Sequence, residues 1–196
     1  SKITTTGADI DLGNINQTQT AYYIADGAEL SGTDLGTVNG YGILILADNS
    51  TIGAGMPAIN AGDGQIGLAL KGNSIVDYTG EIKSGNTILS GANKFYGIAL
   101  YAERQIINSL SNKLTAGTNG VGLYAGGGSG VSGTGSIITY NGELEVGDGV
   151  TSGIGIYVKA GSNVNLASGG SIKINGLGVG AYVEGNAEFT FGTGSS

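Results

Sequence analysis

Cysteine, histidine and tryptophan are absent from this chain of 196 residues, and proline (Pro57), methionine and arginine (Arg104) each occur once. Without cysteine there is no disulfide framework. Without cysteine or histidine the usual zinc sites are excluded, and so are the nucleophile triads that rest on an imidazole. No Gly-x-Ser-x-Gly occurs either. No run of 18 apolar residues is present, so no helix would span a bilayer. The opening Ser1-Lys2-Ile3-Thr4 lacks the basic start and apolar stretch of an export signal. Positive charge is scarce: 8 basic residues face 15 acidic ones, giving a net charge of −7 and a pI near 4.3. That balance argues against nucleic acid and anionic membrane as partners, since both call for basic patches.

What is abundant is glycine, at 40 residues, without the Gly-X-Y period of collagen. Much of it sits in a motif that keeps returning. Gly97-Ile98-Ala99-Leu100-Tyr101-Ala102 recurs as Gly120-Val121-Gly122-Leu123-Tyr124-Ala125, then at Gly153 to Val158 and at Gly178 to Val183. Looser copies begin at Gly67, Gly42 and Thr20, so the starts fall at 20, 42, 67, 97, 120, 153 and 178. Self-similarity at 22 to 33 residues is the mark of a solenoid. No window carries apolar residues at helical spacing, and the copies alternate at strand period. Between them lie further short strands such as Ser136 to Thr139, Glu143 to Val146 and Ser171 to Ile174, separated by Gly, Asn, Ser and Asp corners. The expected fold is all-β: a parallel β-helix of about seven turns, about 4.8 Å apart, with about three strands per turn. Residues 1–196 form a single β-helix segment.

Aligning the copies predicts which side chains face in. A first inward column would hold Ala21, Ile43, Leu68, Ile98, Val121, Ile154 and Val179. A second would hold Tyr23, Ile45, Leu70, Leu100, Leu123, Ile156 and Ala181. A third, of small residues, would run from Ala25 through Ala102 and Ala125 to Val183. Ile24, Leu46, Lys71, Tyr101, Tyr124, Tyr157 and Tyr182 would then point outward, with Leu44 also outward on the early turns. The four recurring tyrosines, Tyr101, Tyr124, Tyr157 and Tyr182, are the candidate surface contacts. They form either a ladder that stiffens the sheet or a sticky stripe for a glycan, a protein or a second rod.

Other motifs carry less. Gly-x-Gly-x-x-Gly occurs at Gly62–Gly67 and Gly128–Gly133, but about one or two matches arise by chance at this glycine content, and neither opens a helix. Asp63 and Asp148 occupy Gly-Asp-Gly corners without the nine-residue tandem of calcium-binding β-rolls. Glu143 and Glu145 sit two apart on one strand, where paired carboxylates could act as acid and base. Lys173, one turn above, makes a solvated ion pair with Glu145 the expected arrangement. No catalytic residue, cofactor or metal ligand is assigned.

The Gly-Ile-x-Leu-Tyr-Ala strand, with its partner x-Gly-x-Ile-x-Ile-x-Gly around Ser171 to Gly176, resembles the passenger regions of type V secretion autotransporters. It is most similar to the large glycine-rich repeat adhesins of anaerobic Gram-negative bacteria. The resemblance covers nearly the whole chain and is tighter after residue 95. It implies a right-handed parallel β-helix on the cell surface, anchored to the outer membrane by a barrel outside this sequence. It further implies roles in adhesion to host or bacterial surface proteins or glycans, in self-association and in some members cytotoxicity. Both ends run into repeat-like sequence, as expected for part of a longer passenger. The alternatives are a self-association or toxin module that packs through its tyrosine face, and a β-helix polysaccharide hydrolase or lyase.

Overall fold

A computed structural model describes residues 1–150 and 153–196. Among them every regular element is a strand. Each copy of the repeat forms one strand of a seven-stranded sheet: Thr20–Ala25, Gly42–Asp48, Gln65–Lys71, Ile98–Glu103, Val121–Gly126, Ile154–Val158 and Val179–Val183. Neighbouring strands are parallel throughout and stack in chain order. The chain leaves this sheet, crosses a second face through strands such as Ile106–Leu110 and Ile137–Tyr140, and returns along a third through Leu114–Ala116 and Glu143–Val146. The molecule is thus a parallel β-helix of seven turns with three faces, as its spacing implies.

One interior runs the length of the rod. Ile45, Leu68, Leu100, Leu123 and Ile156 pile on one another with no exposed surface. Beside them stack Ile24, Ala47, Leu70, Ala102, Ala125 and Val158. The other two faces contribute Ile52, Ile82, Leu114, Ile138, Leu144 and Leu166. Corners are closed by buried polar groups that bond main chain across turns. The Ser136 hydroxyl donates to the carbonyls of Ala102 and Gly126 at 3.0 Å each. Asn112 donates to the carbonyls of Tyr78 and Gly80 at 2.8 and 2.9 Å. Such satisfied amides and hydroxyls let a sharp corner be buried without orphaned carbonyls. Tyr140, fully buried, plays the same part: its hydroxyl donates to the Asn112 and Glu143 carbonyls.

The inward and outward assignments require three corrections. First, the pairing sets Ile98 opposite Ile66 and Leu100 opposite Leu68, so the Gly67 copy is displaced by two residues from its expected alignment. Ala69 therefore lies under Tyr101, and Lys71 falls beside Glu103 rather than in the tyrosine column. Second, the first copy pairs from Thr20 opposite Ile43, one residue from expectation. A one-residue slip exchanges the faces of a strand, so Ile24 is buried (1% exposed) and Tyr23 is outside (57%).

The third correction concerns the column Ile43, Ile66, Ile98, Val121 and Ile154. It does not belong to the interior. These residues form a separate apolar cluster with Leu46, Tyr101, Tyr124 and Tyr157 on the outer side of the sheet. Simple alternation is broken at the following position, filled by Leu44, Ala99, Gly122 and Gly155. Leu44 and Ala99 are in the core, contrary to the outward expectation for Leu44. A Cβ on Gly122 would lie 2.7 Å from the Leu144 side chain, so this residue too faces inward, and even a methyl group there would force Leu144 to shift. Two successive residues thus turn in, and the aliphatic before them turns out.

Leu123→Ala removes a side chain clamped between Leu100 and Ile156, and should cost about 2–5 kcal/mol of unfolding free energy. Leu89→Ala, at a site 69% exposed, should stay within about 0.5 kcal/mol of wild type. Urea denaturation of both variants, followed by circular dichroism, measures the difference.

Candidate functional site

The four candidate tyrosines are brought together. Tyr101, Tyr124, Tyr157 and Tyr182 occupy one column of the parallel sheet, with ring centroids 4.8, 5.1 and 4.9 Å apart. Interplanar angles of 10°, 19° and 32° open progressively toward Tyr182. The turn spacing of a β-sheet, about 4.8 Å, is also a good ring-stacking distance. Room beside Tyr124 comes from Gly126, where a Cβ would meet the ring at 2.7 Å. The rings cover one another's faces and present edges and hydroxyls outward.

The hydroxyls of Tyr101, Tyr124 and Tyr157 are neutral at physiological pH. Burial pushes Tyr101 up to about 12, with the charges of Glu103 and the Tyr124 ring adding to it. Burial likewise raises Tyr124, helped by Glu184 and Glu103. Tyr157 is raised chiefly by donating to the Glu184 carboxylate at 2.6 Å. The same bond, with the Ala160 amide, holds Glu184 below the usual carboxylate range.

The ladder is one wall of a groove. Its floor is the outward aliphatic column Ile66, Ile98, Val121 and Ile154, and its volume is about 500 Å³. The opposite wall is built by an excursion from the three-faced plan, a β-hairpin of Ile88–Ser90 and Asn93–Phe95. Gly91, with φ of +59°, makes its tight turn. The hairpin base is fixed at three points. Phe95 stacks on Tyr41 with centroids 4.2 Å apart. Thr87 Oγ1 accepts the Gly97 amide at 3.0 Å. The Gln17 amide, from the first turn, donates to the Tyr96 and Gly64 carbonyls and accepts the Tyr96 amide. Lys94 sits on this wall with its ammonium 4.9 Å from the Tyr96 ring centroid, a cation–π contact. Lys159 reaches the groove from the tyrosine side. A second depression of about 380 Å³ shares Lys94 and Ile154 and extends the groove to Leu89 and Val179.

Sequence reasoning finds the ladder and misses the groove. The available signal is the 30-residue interval between the copies at 67 and 97, against 22 to 25 between most others, with Ser90-Gly91-Ala92-Asn93 in its last third.

The other candidate chemistry resolves into structural contacts. Glu145 bonds Lys173 at 3.0 Å, as anticipated, and also Asn175 at 2.7 Å and Lys113 at 3.5 Å. The bonds from Asn175 and Lys173 hold its carboxyl down to about 2, the reverse of what a general acid requires. Lys113 also pairs with Glu143 at 3.0 Å. Asp63 accepts the Asn86 amide, and Asp148 accepts the Val150 amide and the Thr118 hydroxyl, so both carboxylates brace corners. Among the described residues no three acidic groups converge as a metal site would need.

Two predictions come from these contacts. Tyr124→Ser removes two ring contacts and should cost about 1–3 kcal/mol, whereas Tyr182→Ser, with one stacked neighbour, should cost less; urea midpoints compare them. Glu145 has a folded pKa of about 2 against an ordinary 4.5. Its carboxylate therefore stabilises the fold fully above about 4.5, and the contribution vanishes as pH falls toward 2. Because its lysine partners are 40% and 63% exposed, the effect is modest and salt-sensitive. Unfolding curves from pH 7 to 2 should show wild type losing more stability than Glu145→Gln.

No family model matches the chain, and no curated protein or solved structure matches it either, so its geometry carries the functional argument alone.

Proposed function

We propose that this chain is a stalk segment of a surface-displayed adhesin of the autotransporter type, holding a contact face outside the bacterial outer membrane. The observation that carries this reading is the division of labour between its two apolar systems. One continuous interior runs from the first turns to Phe189. A second apolar system, the tyrosine–aliphatic cluster, lies outside the coil on one face. A stalk alone requires only the first. An organised patch of tyrosine edges and aliphatics on an otherwise acidic rod is the kind of surface that marks contact with another macromolecule. The strand pairing of the seven-stranded sheet joins each turn to its neighbours, so a chain emerging end-first from a membrane could fold turn upon turn.

The host or bacterial surface protein that such a face would meet is unidentified. Stacked rings offer edges and hydroxyls rather than open faces, which suits a protein surface better than the flat stacking of a sugar ring. Beads coated with the purified chain should be retained on bacterial or epithelial monolayers above beads coated with Tyr124→Ser/Tyr157→Ser. The expected drop is about fivefold or more, in line with a central aromatic pair acting as a hot spot. Equal retention of the two, or none above uncoated beads, would overturn the adhesive role of this face.

A further inference from the structure

The groove between the ladder and the hairpin differs from the rest of the rod in charge. Five of the eight basic residues, Lys2, Lys71, Lys83, Lys113 and Lys173, pair with carboxylates. Arg104 donates to the Gly127 carbonyl. The remaining two, Lys94 and Lys159, have no carboxylate within ion-pair distance among the described residues, and both line the groove. No acidic residue lines it, although the chain has 15. Glu184 is bonded by the Tyr157 hydroxyl and the Ala160 amide and attracts Lys159 without forming an ion pair with it. A rod of net charge −7 thus keeps two cations that lack an ion-pair partner among the described residues on the opposite walls of one slot. That is complementarity for an anion.

The floor decides which anion. Ile66, Ile98, Val121 and Ile154 offer branched hydrocarbon and no hydrogen-bonding group, while the sheet's own backbone is already paired between turns. A glycan or a peptide laid on that floor would turn hydroxyls or amides toward hydrocarbon at a cost, with only the polar groups of the walls, such as Gln17, Thr87 and Asn119, to partner them. An alkyl chain has no such groups. Its methylenes would lie along the aliphatic column, which from Ile66 to Val179 spans four turn spacings, or about 19 Å. The two contiguous depressions, about 500 and 380 Å³, are in the range of small-ligand sites.

The geometry points to a binding site for a long-chain carboxylate, its hydrocarbon on the Ile98–Val121–Ile154 floor and its carboxylate between Lys94 and Lys159. This site does not depend on the adhesive role: bead retention can fail while the acid binds, and the reverse.

Calorimetric titration of the whole chain with octanoate, decanoate, dodecanoate and palmitate, each kept below its micellar concentration, tests it. Affinity should rise about fourfold per added methylene until the floor is filled. Methyl dodecanoate, without the charge, should bind about tenfold more weakly than dodecanoate. Lys94→Gln/Lys159→Gln should weaken dodecanoate tenfold or more and leave the ester unchanged. Lys2→Gln, on the far end of the chain, should change neither. Both lysines are exposed, so the variant keeps the fold, and circular dichroism verifies this. Absence of binding, no dependence on chain length, equal affinity for acid and ester, or an unaffected double variant would each overturn the assignment. So would tighter binding of an oligogalacturonate, which would make the groove a site for an acidic glycan instead.

Discussion

Parallel, in-register pairing between successive turns governs everything else in this molecule. A residue in one turn has as its neighbour the residue at the same position of the next, about 4.8 Å away. Side-chain chemistry is therefore forced into columns, and each column must tolerate contact with its own kind. Aliphatics do, as Leu68, Leu100, Leu123 and Ile156 show. Tyrosines do, because their rings can stack at that spacing. Charges do not, and like charges one above another would destabilise the sheet. Where charged residues stack, their signs alternate or are diluted: Asp48, Lys71, Glu103 and Gly126 follow one another on one face, and Lys83, Thr115, Glu145 and Lys173 on another.

The same rule explains what could be read from the sequence. Column chemistry repeats, so the seven turns, the strand that bears each copy, and the alignment of Tyr101, Tyr124, Tyr157 and Tyr182 are visible in the primary structure. The face of each column is less visible. Ile98, Val121 and Ile154 look like core residues, because the glycine or alanine that follows them says nothing about polarity. That small residue is in fact the inward one, chosen because the facing strand comes within van der Waals reach of it. The aliphatic before it then turns outward and is hidden again by the ladder and the hairpin. In the first copy the ambiguity is one of register: Tyr22-Tyr23-Ile24 fits two alignments, and only pairing with Gly42–Asp48 places Ile24 inside.

Irregular spacing holds the rest of the information. A solenoid repeats its core and varies its loops, so departures from the common interval mark where the chain leaves the coil. Between the copies at 67 and 97 the excess becomes the hairpin that walls the groove. Between those at 120 and 153 part of it becomes the loop around Val131, which Thr134 ties back through its hydroxyl and which carries no comparable apolar face. An insertion alone does not make a site. This one walls a groove because Gln17, Tyr41 and Thr87 hold it against the sheet.

The ladder and the groove are consequently one device rather than two. Stacking closes both ring faces of Tyr124 and Tyr157 and one face of Tyr101 to a ligand but aligns their edges into a wall along the rod axis. The wall stays uncharged, since burial and the bond to Glu184 raise these phenols. A neutral wall and a hydrocarbon floor leave Lys94 and Lys159 as the charged residues that line the slot. Both ammoniums are exposed and Glu184 acts on Lys159, so their pull on an incoming anion is screened as it is elsewhere on the surface. Column stacking, which exists to hold the coil together, thereby fixes the polarity of the apolar face that the ladder flanks.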